Sequence, residues 1–238
     1  MVISPVQEEQ ILRKRKLYKK NYFELLAWEQ ALFVCGLDEV GRGCLAGPLV
    51  VAAVILPQNV FYPLLKDSKL LTKEEREKAY KWIVKKCFYT VTLSSNYHID
   101  QVNIYQSTVA MMKKAVMQLF ESMPLKRSSI KYVVSDAVPF LIPQEYRHEH
   151  LEFVHFPKGE RVSTTIAAAS IVAKVTRDAL MKSLNPLFHA YNFEQHKGYA
   201  TQEHIEALKK HGPSILHRTS FLGNIQLKQE HDEAQQKP

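Results

Sequence analysis

Residues 49–56 read LVVAAVIL, an unbroken apolar run rich in β-branched side chains. A run of this length and composition predicts a buried β-strand. A shorter run at 31–38 predicts a second strand just before it. Further β-rich runs lie at 88–93, 130–135 and 151–155, the fourth of these five ending at Asp136. Helical patterns fill the intervals: 72–86, where Thr72 and Glu75 stand in capping-box spacing, then 100–122, an Ala-rich stretch at 162–184, and 201–211. Strands with helices between and after them predict an α/β domain around a mixed sheet. Residues 6–31 predict an N-terminal helical extension with mixed faces, and its basic run 13–20 is a candidate phosphate contact or a solvated face. The expected division is 1–32 as that extension, 33–185 as the catalytic core, 186–225 as a C-terminal helical substrate-binding segment and 226–238 as a polar tail.

The 238 residues suffice for one large domain. The net charge is +8, of which +2 falls in the first 34 residues and +6 in the rest. A body that is itself basic favours a polyanionic partner. The three cysteines, Cys35, Cys44 and Cys87, form no Cys-x-x-Cys pair. That pattern argues against a disulfide framework or a thiolate zinc site and suits a reducing cytoplasm. No signal-like segment and no membrane-length apolar stretch is present in the sequence.

Chemistry concentrates at Gly36-Leu37-Asp38-Glu39-Val40-Gly41-Arg42-Gly43, with Ala46-Gly47-Pro48 close behind. Two carboxylates end a strand, and two glycines flank an arginine. Carboxylates of this kind bind hard cations. Glycines admit close backbone approach, and arginine pairs with phosphate. Asp136 ends another strand and Glu160 precedes the long helix, so four acids from separate places can converge where sites assemble in open α/β sheets. Like charges gathered together call for a divalent cation. The glycine spacing also resembles a nucleotide phosphate loop, but such loops need a helix N-terminus at the phosphate, and here a strand-like run follows Pro48. Lys69, Lys174 and Arg177 are candidate phosphate contacts. Asp178 suits a helix salt bridge, and His148 with His150 has metal-ligand spacing that equally fits a solvated pair.

The order of motifs resembles bacterial type 2 ribonuclease H, ribonuclease HII. The resemblance runs through residues 36–48, Asp67-Ser68-Lys69-Leu70-Leu71-Thr72, residues 99–106, residues 167–178, Lys197-Gly198-Tyr199-Ala200-Thr201, and 211–221. It implies a ribonuclease H-like fold with a five-stranded central sheet. It also implies cleavage of the RNA strand of RNA–DNA hybrids, nicking 5′ of single ribonucleotides in duplex DNA, and 3′-hydroxyl and 5′-phosphate products. By the same resemblance Asp38, Glu39 and Asp136 are metal ligands for Mg²⁺ or Mn²⁺, two ions per site, and Glu160 is the fourth catalytic acid. Tyr199 packs on the sugar after the ribonucleotide, while the Gly41-Arg42-Gly43 backbone can approach the 2′-hydroxyl. The implied partner is nucleic acid; no membrane partner is expected, and the expected state is a monomer. Two positions depart from the family pattern: Glu160 stands where many bacterial members have Asp, and Cys44 where proline is common. A non-cutting hybrid-binding module and an all-DNA nuclease on the same fold are the competing readings.

Overall fold

The computed structural model describes residues 20–136, 138–156 and 158–223. The basic run at 13–19 and the polar tail at 226–238 lie outside the described residues. Five strands form one sheet: β1 (Phe33–Val40), β2 (Leu49–Ile55), β3 (Phe88–Ser94), β4 (Ile130–Asp136) and β5 (Glu152–Phe156), in the order β3-β2-β1-β4-β5. β1 and β2, and β2 and β3, pair antiparallel; β4 runs parallel to both β1 and β5. All five predicted strands are therefore present, in a mixed sheet.

Every residue of β2 is buried, as its unbroken apolar run demands. Alternate side chains serve opposite layers. Leu49, Val51, Ala53 and Ile55 pack with Met112, Ala115, Val116 and Leu119 of α4 (Ile104–Ser122). Val50, Ala52 and Val54 pack with Ala79 and Ile83 of α2 (Lys73–Lys86) and with Ala168, Ala169, Ile171 and Val172 of α5 (Thr164–Leu184). The alanines let α5 lie close on the sheet. Its tightest approach is at Gly36, where a Cβ would stand 2.5 Å from the Thr165 carbonyl carbon.

Helix boundaries follow local caps. Thr72 accepts from Glu75 N while the Glu75 carboxylate accepts from Thr72 N, so both halves of the capping box form. Ser163 caps α5 and Thr201 caps α7 (Gln202–His211). The stretch expected as one helix from 100 to 122 is two. Asn103, at φ +69°, ends α3 (Asn96–Val102), and its Oδ1 accepts from Gln106 N to start α4. The break lets Asp100 accept from the backbone N–H and hydroxyl groups of both Thr219 and Ser220, tying the C-terminal segment to the body.

The described part of the N-terminal extension is not a free arm. Helix α1 (Tyr22–Trp28) buries Phe23 and Ala27 against Val34, Tyr132, Val134 and Phe156. Glu24 is fully buried; one of its oxygens accepts from Ser163 Oγ (2.5 Å), Thr165 N (2.9 Å) and Thr165 Oγ1 (2.7 Å). A carboxylate at a helix N-terminus is favoured by the orphan N–H groups and the helix dipole. Asn21 N adds a bond to the Val162 carbonyl. Glu24→Ala strands these donors, so it is expected to lower stability by about 2–4 kcal/mol in urea unfolding, with an unchanged m-value.

Candidate active site

Parallel pairing places the chemistry. Leu37 of β1 stands opposite Ser135 of β4, so the next residues, Asp38 and Asp136, lie side by side toward one end of the sheet; β1 itself runs past the expected end at Asp38, on to Val40, with Asp38 still paired to Ala52 of β2. On the far side of β4, Asp136 pairs with Phe156, and the chain then turns back through residues 158–161. Lys158 takes a left-handed conformation (φ +60°), and Gly159 N donates to Asp136 Oδ1 at 3.2 Å. This turn carries Glu160 to the same end. The result is a cleft of about 590 Å³ lined by Asp38, Glu39, Asp136 and Glu160 together with Lys69, Lys174 and Tyr199.

The electrostatics are those of crowded carboxylates. Burial pushes the Asp38 carboxyl well above the usual range, and the charges of Glu39 and Asp136 push it further; bonds from Glu39 N (2.8 Å) and from Ser170 act the other way. Burial raises Glu39 to about 7 despite the opposing Arg42 guanidinium, which pairs with it at 3.2 Å. Glu160 is raised by burial and then by Asp136 and Asp67, with Lys69 opposing. Glu39 Oε2 is buried with no hydrogen-bond partner. Yet among the described residues no three His, Cys, Asp or Glu side chains are drawn together closely enough to hold an ion. Oxygen donors, mutual repulsion and an unpartnered buried carboxylate oxygen fit a hard divalent cation.

The loop after β1 is held from beneath. Gly41 has φ +93°, and a Cβ there would lie 2.4 Å from Arg177 Nε; a Cβ on Gly43 would meet nothing within 4 Å. Arg177 was a candidate phosphate contact, and its position corrects that expectation. It is fully buried and donates to the carbonyls of Pro48 (2.9 Å), Lys197 (2.8 Å) and Ala46 (3.1 Å). Arg218, also fully buried, donates to the carbonyls of Gly47 and Arg42. Lys174 keeps its place in the cleft while pairing with Asp178 at 2.8 Å, as expected of Asp178. His150 Nε2 lies 2.8 Å from Glu149 Oε1.

Tyr199 is partly exposed in the cleft, and its ring lies within 6 Å of the Lys174 and Arg177 cations. Burial pushes its hydroxyl up to about 12, and the neighbouring Cys44 thiol acts in the same direction. Cys44 thus contributes a side-chain polar group where proline would offer none. Asp67 and Ser170 also line the cleft, although neither was singled out as a site residue. Asp67 was visible in its Asp-Ser-Lys motif; Ser170 looked like one more small residue in an Ala-rich helix.

A profile of the ribonuclease HII family matches residues 35–223. The chain belongs to that family. It is 40% identical to the ribonuclease HII of Caldanaerobacter subterraneus subsp. tengcongensis over 213 residues, spanning 89% of this chain and 83% of the relative. It is 42% identical to that of Caldicellulosiruptor saccharolyticus, spanning 87% and 96%. Among solved structures it resembles Archaeoglobus fulgidus RNase HII, determined in a complex with PCNA, at TM-score 0.60 and 28% identity over 79% of this chain and 94% of that one. It resembles ribonuclease H2 from Pyrococcus horikoshii OT3 at TM-score 0.60 and 24% identity, over 79% and 93%. The fold is ribonuclease H-like, and the enzyme is a ribonuclease H, a metal-dependent hydrolase acting on the RNA strand of RNA–DNA hybrids. Among its described residues no helix is long and apolar enough to cross a membrane.

Proposed function

We propose that the enzyme also nicks duplex DNA on the 5′ side of single embedded ribonucleotides, leaving 3′-hydroxyl and 5′-phosphate ends, and serves ribonucleotide removal in replication and repair. The observation that supports this reading is the common cleft, which four acids and Tyr199 line together. Asp38, Glu39 and Asp136 would hold divalent ions, with Glu160 completing the set. Bound Mg²⁺ or Mn²⁺, two ions per site, would supply an activated water and neutralise charge at the leaving oxygen. The chain's own groups orient the strand. Lys69 and Lys174 on the cleft wall suit phosphate oxygens. Gly43 leaves open space beside the backbone, room for a ribose edge bearing a 2′-hydroxyl. Tyr199 offers a ring face to the neighbouring sugar. Free thiols at all three cysteines suit action in the reducing cytoplasm.

Tyr199→Ala tests the reading. Rates are compared on a duplex with one ribonucleotide and on a long RNA–DNA hybrid, in Mg²⁺ and in Mn²⁺. The expected loss is about tenfold larger on the single-ribonucleotide duplex, roughly the worth of one good sugar contact. Equal loss on both substrates removes Tyr199 from junction reading.

A further inference from the structure

Beneath the cleft, in the C-terminal segment, two buried imidazoles face each other: His204, fully buried on α7, and His217, 2% exposed. Their Nε2 atoms are 3.0 Å apart. A hydrogen bond between two imidazoles needs one protonated and one bare nitrogen. The groups at the two ends decide which is which. Ser214 N can only donate, and it donates to His217 Nδ1 at 2.9 Å, which leaves the Ser214 hydroxyl, also 2.9 Å from that nitrogen, to donate as well. His217 must therefore carry its proton on Nε2 and donate to His204 Nε2. His204 then carries its proton on Nδ1, where it meets the Tyr199 carbonyl at 2.9 Å. An N–H at one end and a C=O at the other permit a single direction and one tautomer for each ring. Burial holds both rings at about 4, so both are neutral near pH 7 even with Glu203 nearby favouring the charged form of His204.

The chain of bonds ends where substrate is read. The Tyr199 carbonyl takes a second bond from Thr201 N at 2.8 Å. The preceding Gly198 carbonyl accepts from Leu45 N at 2.8 Å, joining this turn to the loop that follows Gly43. His196 stacks on His204 with ring centroids 4.3 Å apart, and its Nδ1 accepts from Gly198 N. Apolar side chains would fill this space without desolvating polar rings. What imidazoles add is direction and a fixed main-chain position.

We infer that His217 and His204 form a one-way hydrogen-bond relay that positions Tyr199 against the Gly41–Gly43 loop, which makes both of them positioning residues for recognition of the ribonucleotide junction. The inference rests on the proposed role of Tyr199. Two substitutions of nearly equal shape separate the donor from the packing. His204→Asn keeps an amide donor where Nδ1 stands, and His204→Leu does not.

The readout is the ratio of nicking at one embedded ribonucleotide to cleavage within a long RNA tract, measured in the full-length enzyme. His204→Leu is expected to lower the ratio about tenfold, and His204→Asn to restore it to within about threefold of wild type. Two-bond ¹H–¹⁵N spectra of the wild-type enzyme are expected to show His204 protonated on Nδ1 and His217 on Nε2. The opposite tautomer at either ring overturns the relay, as do equal ratios for the Asn and Leu variants. Should His204→Leu fail to fold, His217→Gln, which keeps a donor at the Nε2 position, against His217→Met carries the same comparison. Tyr199→Ala is assayed alongside. A ratio lost there but kept in His204→Leu overturns the relay alone; a ratio kept in Tyr199→Ala overturns the junction reading and the relay's role with it.

Discussion

Asp38→Asn is expected to lower the metal-dependent cleavage rate by at least about a thousandfold, on single-ribonucleotide duplex and RNA–DNA hybrid alike. Asn keeps the shape of the side chain and its acceptor for Glu39 N, so the end of β1 is left undisturbed. What it removes is one carboxylate from a cleft it lines with Glu39, Asp136 and Glu160, the first two of which act on its charge. The same change carries a second expected result of opposite sign. Relieving like-charge repulsion stabilises the metal-free fold, by about 1 kcal/mol or roughly 2–4 °C in Tm. Adding Mg²⁺ or Mn²⁺ then raises the Tm of the wild type, because an ion that binds only the folded state stabilises it, and raises that of the variant far less. Differential scanning calorimetry with and without metal, beside a nicking assay, checks all three. Cleavage by Asp38→Asn at the wild-type rate would show that the metal site has been misplaced.

Arg177→Leu is expected to lower stability by about 3–5 kcal/mol, read as a Tm lower by roughly 10 °C or more. Three backbone carbonyls, at Ala46, Pro48 and Lys197, lose their donor at once. The apolar replacement takes the donor from one buried carbonyl, at Ala46, and from two half-buried ones, at Pro48 and Lys197. Arg177→Lys is not expected to rescue, since one ammonium cannot span acceptors arranged for a guanidinium fork. Activity falls as well, because the guanidinium underlies Gly41 and joins the β1–β2 loop to the turn before Tyr199. A surface phosphate contact would behave otherwise: stability would hold, and the salt dependence of substrate binding would weaken by about one unit of slope. Thermal unfolding with a salt titration of binding separates the two.

The same arginine shows where reading the sequence reaches its limit. Asp136 was legible as a strand end because its apolar run stops at a carboxylate, whereas β1 runs past Asp38 to Val40 on its pairing with β2. The capping box at Thr72 and Glu75 was legible because its two bonds close within four residues. The interruption at Asn103 left a local trace, an Asx cap, that helical periodicity on both sides obscured. Arg177 left none. Its place on α5 was correct, but the direction a basic side chain faces depends on which carbonyls another segment brings beneath it. Glu24 is a parallel case. In an N-terminal stretch of mixed charge nothing singles it out, and it is the buried partner of α5 because α1 docks on the sheet.

The α/β class, the five strands and the family follow from the sequence alone, because strand and helix patterns, caps and motif order are properties of neighbouring residues. The tertiary structure alone decided that Asp38 and Asp136 emerge side by side, that Glu39 keeps an oxygen without a partner, that Arg177 and Arg218 brace loops rather than substrate, and that His204 and His217 face each other beneath Tyr199. Each of these depends on register and packing between segments far apart in the chain. Burial then makes such contacts decisive, since a charge or imidazole removed from water must find its partner in whatever the fold has placed beside it.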